Sequence, residues 1–248
     1  MATKPKGAPA RGGGELRAWL APANLLTSLV LVLPLLIGYQ FGVLFGVGNG
    51  ADVITGPMVR LLRTPTNYLV FNLVLLAIFG VLLAVMRGKQ QFHVRMFVPV
   101  LVESGLYALS MGSLIIYVMH AIGISPKLLV NAVGVEGMSV PARIATALGA
   151  GVHEELVFRL AMIPALALLF EKVGGVRRWM ALAIAFVISS VLFSAAHHVI
   201  GGEPWHLGPF VYRFFCGMLF AALFQFRGLA VAVYTHALYD IYVMLFQA

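Results

Sequence analysis

Three short stretches of this 248-residue chain place acids, imidazoles and a guanidinium at helical spacing. The densest is His153-Glu154-Glu155-Leu156-Val157-Phe158-Arg159. Residues four apart share one face of a helix, so Glu155 can pair with Arg159 inside its own helix. Glu154 is turned by about 100° from that face. At its own i+3 and i+4 positions stand Val157 and Phe158, so its polar partners must come from another helix. Two adjacent carboxylates with one local arginine suggest one structural and one reactive group. A second stretch, Phe193-Ser194-Ala195-Ala196-His197-His198, sets small residues before an imidazole, which lets helices approach closely. A third, His236-Ala237-Leu238-Tyr239-Asp240, puts an imidazole and a carboxylate on one helix face. A carboxylate beside an imidazole fixes its orientation and tautomer. Peptide or ester hydrolysis needs a nucleophile, a proton acceptor and a site for developing negative charge. An acid and two imidazoles can provide all three around one water.

The elements that must carry these residues are membrane spans. The chain is 61% hydrophobic and 10% charged, with a mean hydropathy of +0.95. A soluble domain is typically about 45–50% apolar and about 25% charged. Those figures exclude an ordinary soluble enzyme and a disordered chain. One cysteine, Cys216, excludes an internal disulfide framework. The net charge of +8 sits in short gaps between apolar runs, without an aromatic-interleaved basic stripe, so no nucleic-acid partner is expected.

A span needs about 20 apolar residues. Seven runs qualify, near Asn24–Val47, Asn67–Met86, Val94–Ile122, Pro141–Phe170, Trp179–Ile200, Phe210–Phe226 and Leu229–Phe246. The expected fold is an all-α polytopic transmembrane bundle of about seven spans (six to eight) with a polar cavity inside it. Residues 1–20 read as a basic, disordered cytoplasmic tail, and residues 21–248 as one transmembrane domain. Gly48–Thr66 can lie along the membrane surface as a short helix. With the N-terminus inside, the inner segments hold Lys4, Lys6, Arg11, Arg17, Arg87, Lys89, Arg95, Lys172, Arg177, Arg178 and Arg227, against Arg60, Arg63, Lys127 and Arg143 outside. That bias fits a cytoplasmic N-terminus. Integral membrane localisation is expected, in a prokaryotic inner membrane by size and short loops.

Ionisable groups in a bilayer cost about 2.5–3.5 kcal/mol each on insertion scales. Glu103, Glu154, Glu155, Arg159, His197, Arg213, His236 and Asp240 all fall within the apolar runs. They must compensate one another, most economically around one shared cavity, with Arg213 as counter-charge to the acids. Glu103 is either a protonated glutamate bonded to a neighbouring helix or a lining residue of the substrate cavity, as Phe193 and Arg213 can be. Counted along straight helices, Glu154 lies about 24 Å from the inner end of its span and His236 about 10–12 Å from its own. Those depths disagree, so helix tilts or span boundaries must differ from this simple reading if the two are to meet.

Glu154-Glu155-x-x-x-Arg159, Phe193-x-x-x-His197 and His236-x-x-x-Asp240 together resemble the three-motif signature of the CPBP intramembrane proteases, also called the CAAX protease and bacteriocin-processing (Abi) family. The resemblance covers about Pro141 to Phe246, the expected catalytic core. It implies an endopeptidase that cleaves a membrane-anchored protein or peptide in the bilayer: a prenylated CAAX-type tail, a leader peptide or a C-terminal sorting signal. By the family's logic Glu154 and His197 activate the attacking water, and His236 and Asp240 stabilise the oxyanion or position the substrate. Glu155 and Arg159 support the site. Characterised CAAX-type members commonly carry Asn where Asp240 stands. An ionised Asp cannot donate to an oxyanion. Asp240 is therefore either protonated or acts by orienting His236. The expected mechanism uses no cofactor. The alternative is zinc held by Glu154, His197 and His236, although Val157 replaces the second histidine of H-E-x-x-H. Two further readings stay open: a catalytically inactive scaffold of the same family, and a proton-coupled transporter, which the absence of an internal repeat disfavours.

Overall fold

The computed structural model describes residues 22–48, 54–125 and 137–246, and every regular element among them is helical. The basic tail expected at residues 1–20 lies outside the described residues. Helix α1 spans Leu25–Leu44, α2 Thr55–Leu62, α3 Pro65–Arg87, and α4 Phe97–Ala121 after a single 3₁₀ turn. Helix α5 spans Val140–Gly149, α6 Ile163–Lys172, α7 Arg178–Val199, α8 Leu207–Arg227 and α9 Leu229–Phe246. Among the described residues, six helical stretches, α1, α3, α4 with its 3₁₀ turn, α7, α8 and α9, are long and apolar enough to cross a membrane. The protein is an integral membrane protein with an all-α bundle architecture.

The fourth apolar run is the exception. From Val140 to Lys172 the backbone is continuously helical, but Ala150–Glu154 and Leu156–Met162 between α5 and α6 are wound as π-helix. Bonding to the fifth residue rather than the fourth packs more residues into each turn. The conflicting helix depths pointed to tilts or shifted span boundaries; the winding of the helix itself also departs from the ideal here. It falls on the segment that carries both adjacent carboxylates.

Local sequence sets the helix starts. The Asn24 side chain accepts from the Thr27 N–H at 2.8 Å, Thr64 caps α3 ahead of Pro65, and Ser139 caps α5 ahead of Pro141. Helix α2 occupies the stretch for which a surface helix was expected.

Contacts between ends sort the bundle into two faces. On the first, the α1 cap Asn24 donates to the Gln91 carbonyl between α3 and α4. The left-handed Gly228, between α8 and α9, packs there against the Ala23 carbonyl, and a Cβ would come within 2.9 Å of it. On the second face, Thr146 of α5 bonds the Gly48 carbonyl after α1. Arg143 reaches the Met244 carbonyl near the end of α9 at 2.6 Å.

Helix α9 runs through the centre, and every residue from Leu229 to Ala237 is buried. Close approach depends on small residues. A Cβ on Gly151 would lie 2.7 Å from the Ala237 Cβ and 2.9 Å from the Val233 carbonyl. A Cβ on Gly217 would lie 3.0 Å from the Ser190 Cα. These contacts seat the π-wound segment directly on α9, and α8 on α7. Helix α3 is the opposite case. Tyr68 is its one buried residue, and its sides present leucine, isoleucine and valine outward as a lipid-facing surface.

Candidate active site

The three motifs meet. Glu154 Oε2 lies 3.8 Å from His197 Nε2 and 3.9 Å from His236 Nε2. The carboxylate comes from the π-wound segment, one imidazole from the end of α7 and the other from the middle of α9. Glu154 and His236 are buried, at 3% and 4% exposure, while the His197 side chain is 19% exposed. The centre is thus enclosed on the α9 side and reachable on the α7 side.

Each imidazole is held through its other nitrogen. His197 Nδ1–H donates to the Phe193 carbonyl one turn earlier, at 3.0 Å. A carbonyl only accepts, so the partner assigns the proton to Nδ1 and leaves Nε2 to face Glu154. His236 Nδ1–H donates to Glu155 Oε1 at 2.8 Å. Glu155 Oε2 in turn lies 3.2 Å from Arg159 Nε, the intrahelical pair expected from the i, i+4 spacing. Glu155 therefore links Arg159 to His236 across two helices. Asp240 stands 3.5 Å from His236 Nε2 with 22% of its side chain exposed. The spacing His236-x-x-x-Asp240 suggested Asp240 as the orienting acid. The structure gives the shorter, Nδ1-side bond to Glu155 and leaves Asp240 on the Nε2 side.

An aromatic cage fixes the rest. His236 stacks on Phe220 with ring centres 4.4 Å apart, and the buried Phe193 lies edge-on to both His197 and His236. The Arg159 guanidinium sits 4.4 Å from the Phe193 ring centre and donates to the Gly217 carbonyl at 3.2 Å. Phe193 was expected to line a substrate cavity. It packs between the two imidazoles and the guanidinium instead. The π winding also has a polar partner, because Ser189 Oγ–H donates to the Phe158 carbonyl at 2.6 Å.

Two other predicted residues have their own partners. Glu103 accepts from Arg227 at 2.5 and 2.8 Å and from the Tyr107 hydroxyl at 3.0 Å. The expected bond to a neighbouring helix is there, but its partner is a guanidinium, so it is an ion pair rather than the bond of a protonated glutamate. Arg213 pairs with Glu203, 2.6 Å away, in the loop between α7 and α8. The Glu203 N–H donates to the His197 carbonyl, and the His198 ring nitrogen Nδ1 donates to the Glu203 carbonyl. The loop is therefore tied to the end of α7 beside the reactive imidazole. Sequence reading passed over Glu203, since an acid in a Gly-Gly-Glu-Pro loop carries no spacing signal.

His153 turns away from Glu154. Its ring lies edge-on to Tyr39 and near Gln40, which accepts from the Tyr68 hydroxyl. His153, Gln40 and Tyr68 are among the polar lining residues of an apolar groove of about 490 Å³ between α1, α2 and α3. The groove runs along the spans, with leucine and phenylalanine walls.

The residues offered for zinc, Glu154, His197 and His236, are neighbours at 3.8 and 3.9 Å. Among the described residues, no three His, Cys, Asp or Glu side chains converge as a metal-ion shell. The arrangement does fit a carboxylate and an imidazole sharing one water, with a second imidazole opposite. No curated protein and no solved structure matches the chain. Residues 136–242, which carry Glu154, His197, His236 and Asp240, match the family described as type II CAAX prenyl endopeptidase Rce1-like.

Proposed function

We propose that this protein is an intramembrane endopeptidase that cleaves a membrane-anchored protein or peptide with a water activated by Glu154 and His197. The observation that carries the reading is the approach of one buried carboxylate oxygen, Glu154 Oε2, to Nε2 of two imidazoles from two other helices. The match of the same segment to the Rce1-like family supports it.

A water hydrogen-bonded to Glu154 and to His197 Nε2 attacks the scissile carbonyl carbon, and its proton passes to the Glu154 carboxylate. The carbonyl π electrons move onto oxygen. His236, with Nδ1–H committed to Glu155, faces that oxyanion through a protonated Nε2. Collapse of the tetrahedral intermediate breaks the C–N bond, and Glu154 returns the proton to the leaving amine nitrogen. Glu155, Arg159 and Asp240 are positioning residues: they hold His236 and the helix that bears Glu154. On this reading no metal takes part. The apolar groove that His153 helps to line receives the apolar anchor of the substrate.

The test is Glu154→Gln, which keeps the shape and removes the proton acceptor. Loss of a general base costs about 10²–10⁴-fold in rate. The assay compares the C-termini of membrane proteins from cells carrying wild type or the variant, with the purified enzyme treated with chelator alongside. Unchanged products in the variant would return the protein to the scaffold reading, and loss of activity with chelator would reinstate zinc.

A further inference from the structure

The two faces of the bundle differ in charge and in their relation to the site. Arg87, Lys89 and Arg95 lie at the turn between α3 and α4. Lys172, Arg177 and Arg178 lie at the turn between α6 and α7, and Arg227 lies at the end of α8. Contacts among Asn24, Gln91, Ala23 and Gly228 gather the α1, α3–α4 and α8–α9 ends on that same first face. The second face holds Arg60, Arg63 and Arg143 among the described residues, and Arg213 lies near it in the first half of α8, paired with Glu203. Arg143 is already spent on the carbonyls of Met138 and Met244.

The reactive cluster belongs to the second face. His197 is two residues from the end of α7, and Asp240 lies in the half of α9 that ends there. The loop that follows α7 is tied to the His197 carbonyl through Glu203. His197 and Asp240, the partly exposed members of the cluster, are the two nearest this face. The enclosed members, Glu155 and Arg159, are fully buried.

Lys and Arg near span ends are retained on the cytoplasmic side. We infer that the cluster opens on the face away from the cytoplasm, and that its substrate is a membrane-anchored peptide whose scissile segment has been exported to that side. The substrate half of this inference rests on the hydrolytic reading above. The orientation half does not.

Orientation is read with the full-length protein in intact bacterial cells. Cys216 is buried and is replaced by Ala, so a single introduced thiol reports its own position. Pro204 in the exposed loop after α7 and Val173 at the turn after α6 are the two sites. A membrane-impermeant maleimide is expected to label Pro204→Cys in intact cells, and Val173→Cys after permeabilisation alone. The reverse pattern overturns the inference. Where a cysteine variant fails to accumulate, fusions after Ala248 give the same reading. Alkaline phosphatase there is expected to be active and a fluorescent protein dark, and a fluorescent, phosphatase-negative pair overturns the inference. Both readouts are repeated on Glu154→Gln. An outward thiol with unchanged cellular peptides would sink hydrolysis and leave the orientation standing, whereas an inward thiol with lost cleavage would do the opposite.

Discussion

Two carboxylate–guanidinium pairs in this bundle share their chemistry and differ in burial. Glu155 and Arg159 are one turn apart in a single helix and have no exposed surface. Glu103 and Arg227 come from α4 and α8, 124 residues apart, and keep 21% and 17% of their side chains exposed. The buried pair also carries a third member, His236, and rests on three aromatic rings. The rim pair has the Tyr107 hydroxyl and lies next to the first face. An ion pair without water must have all its members, since removing one leaves a charge that nothing else solvates. At the rim, water and lipid headgroups can replace a lost partner. The buried pair is thus committed to positioning, and the rim pair to joining two helix ends.

Substitution can break or sharpen that contrast. Arg159→Leu should have the largest effect on stability, about 3–5 kcal/mol, because it removes the guanidinium from a fully buried pair and leaves Glu155 in an apolar cage with His236 as its remaining partner. Unfolding of the purified protein in a detergent titration checks this, and a change under about 1 kcal/mol would erase the distinction. Gly151→Val tests the packing that brings the carboxylates to α9. Its branched side chain meets Ala237 and the Val233 carbonyl. Overpacking of this kind costs about 1–3 kcal/mol. Cleavage should fall more than stability does, since the displaced atoms are those that set the Glu155–His236 bond. Arg227→Gln should have the smallest effect, about 0.2–1 kcal/mol, with cleavage unchanged. A loss of cleavage there would show that the rim pair reaches the reactive centre.

Much of the site was legible because its chemistry obeys helical spacing. Glu155 and Arg159 at i, i+4 had to pair, and they do. Glu154, with Val157 and Phe158 above it, had to seek another helix, and it faces two. The apolar runs located the helices to within a few residues, because hydropathy reads burial and lipid contact together. What spacing could not reach were partners chosen by tertiary approach. His236 takes Glu155 rather than Asp240 on its Nδ1 side because Gly151 lets α9 close on the π-wound turn. Arg213 answers to Glu203, and Glu103 to Arg227 across half the chain. The mismatch in helix depths pointed to tilts or span boundaries, and neither the π winding nor its position was legible.

That winding has a consequence for how the two neighbouring acids divide their labour. In an ordinary α-helix, consecutive side chains diverge by about 100° and seldom serve one target. Wider turns narrow that divergence, and here the neighbours approach opposite nitrogens of a single ring, Glu155 at Nδ1 and Glu154 towards Nε2. The arrangement depends on how many residues the turn holds as much as on which ones they are. Deleting Val152 or Leu156 would keep every functional group and still dismantle the pincer.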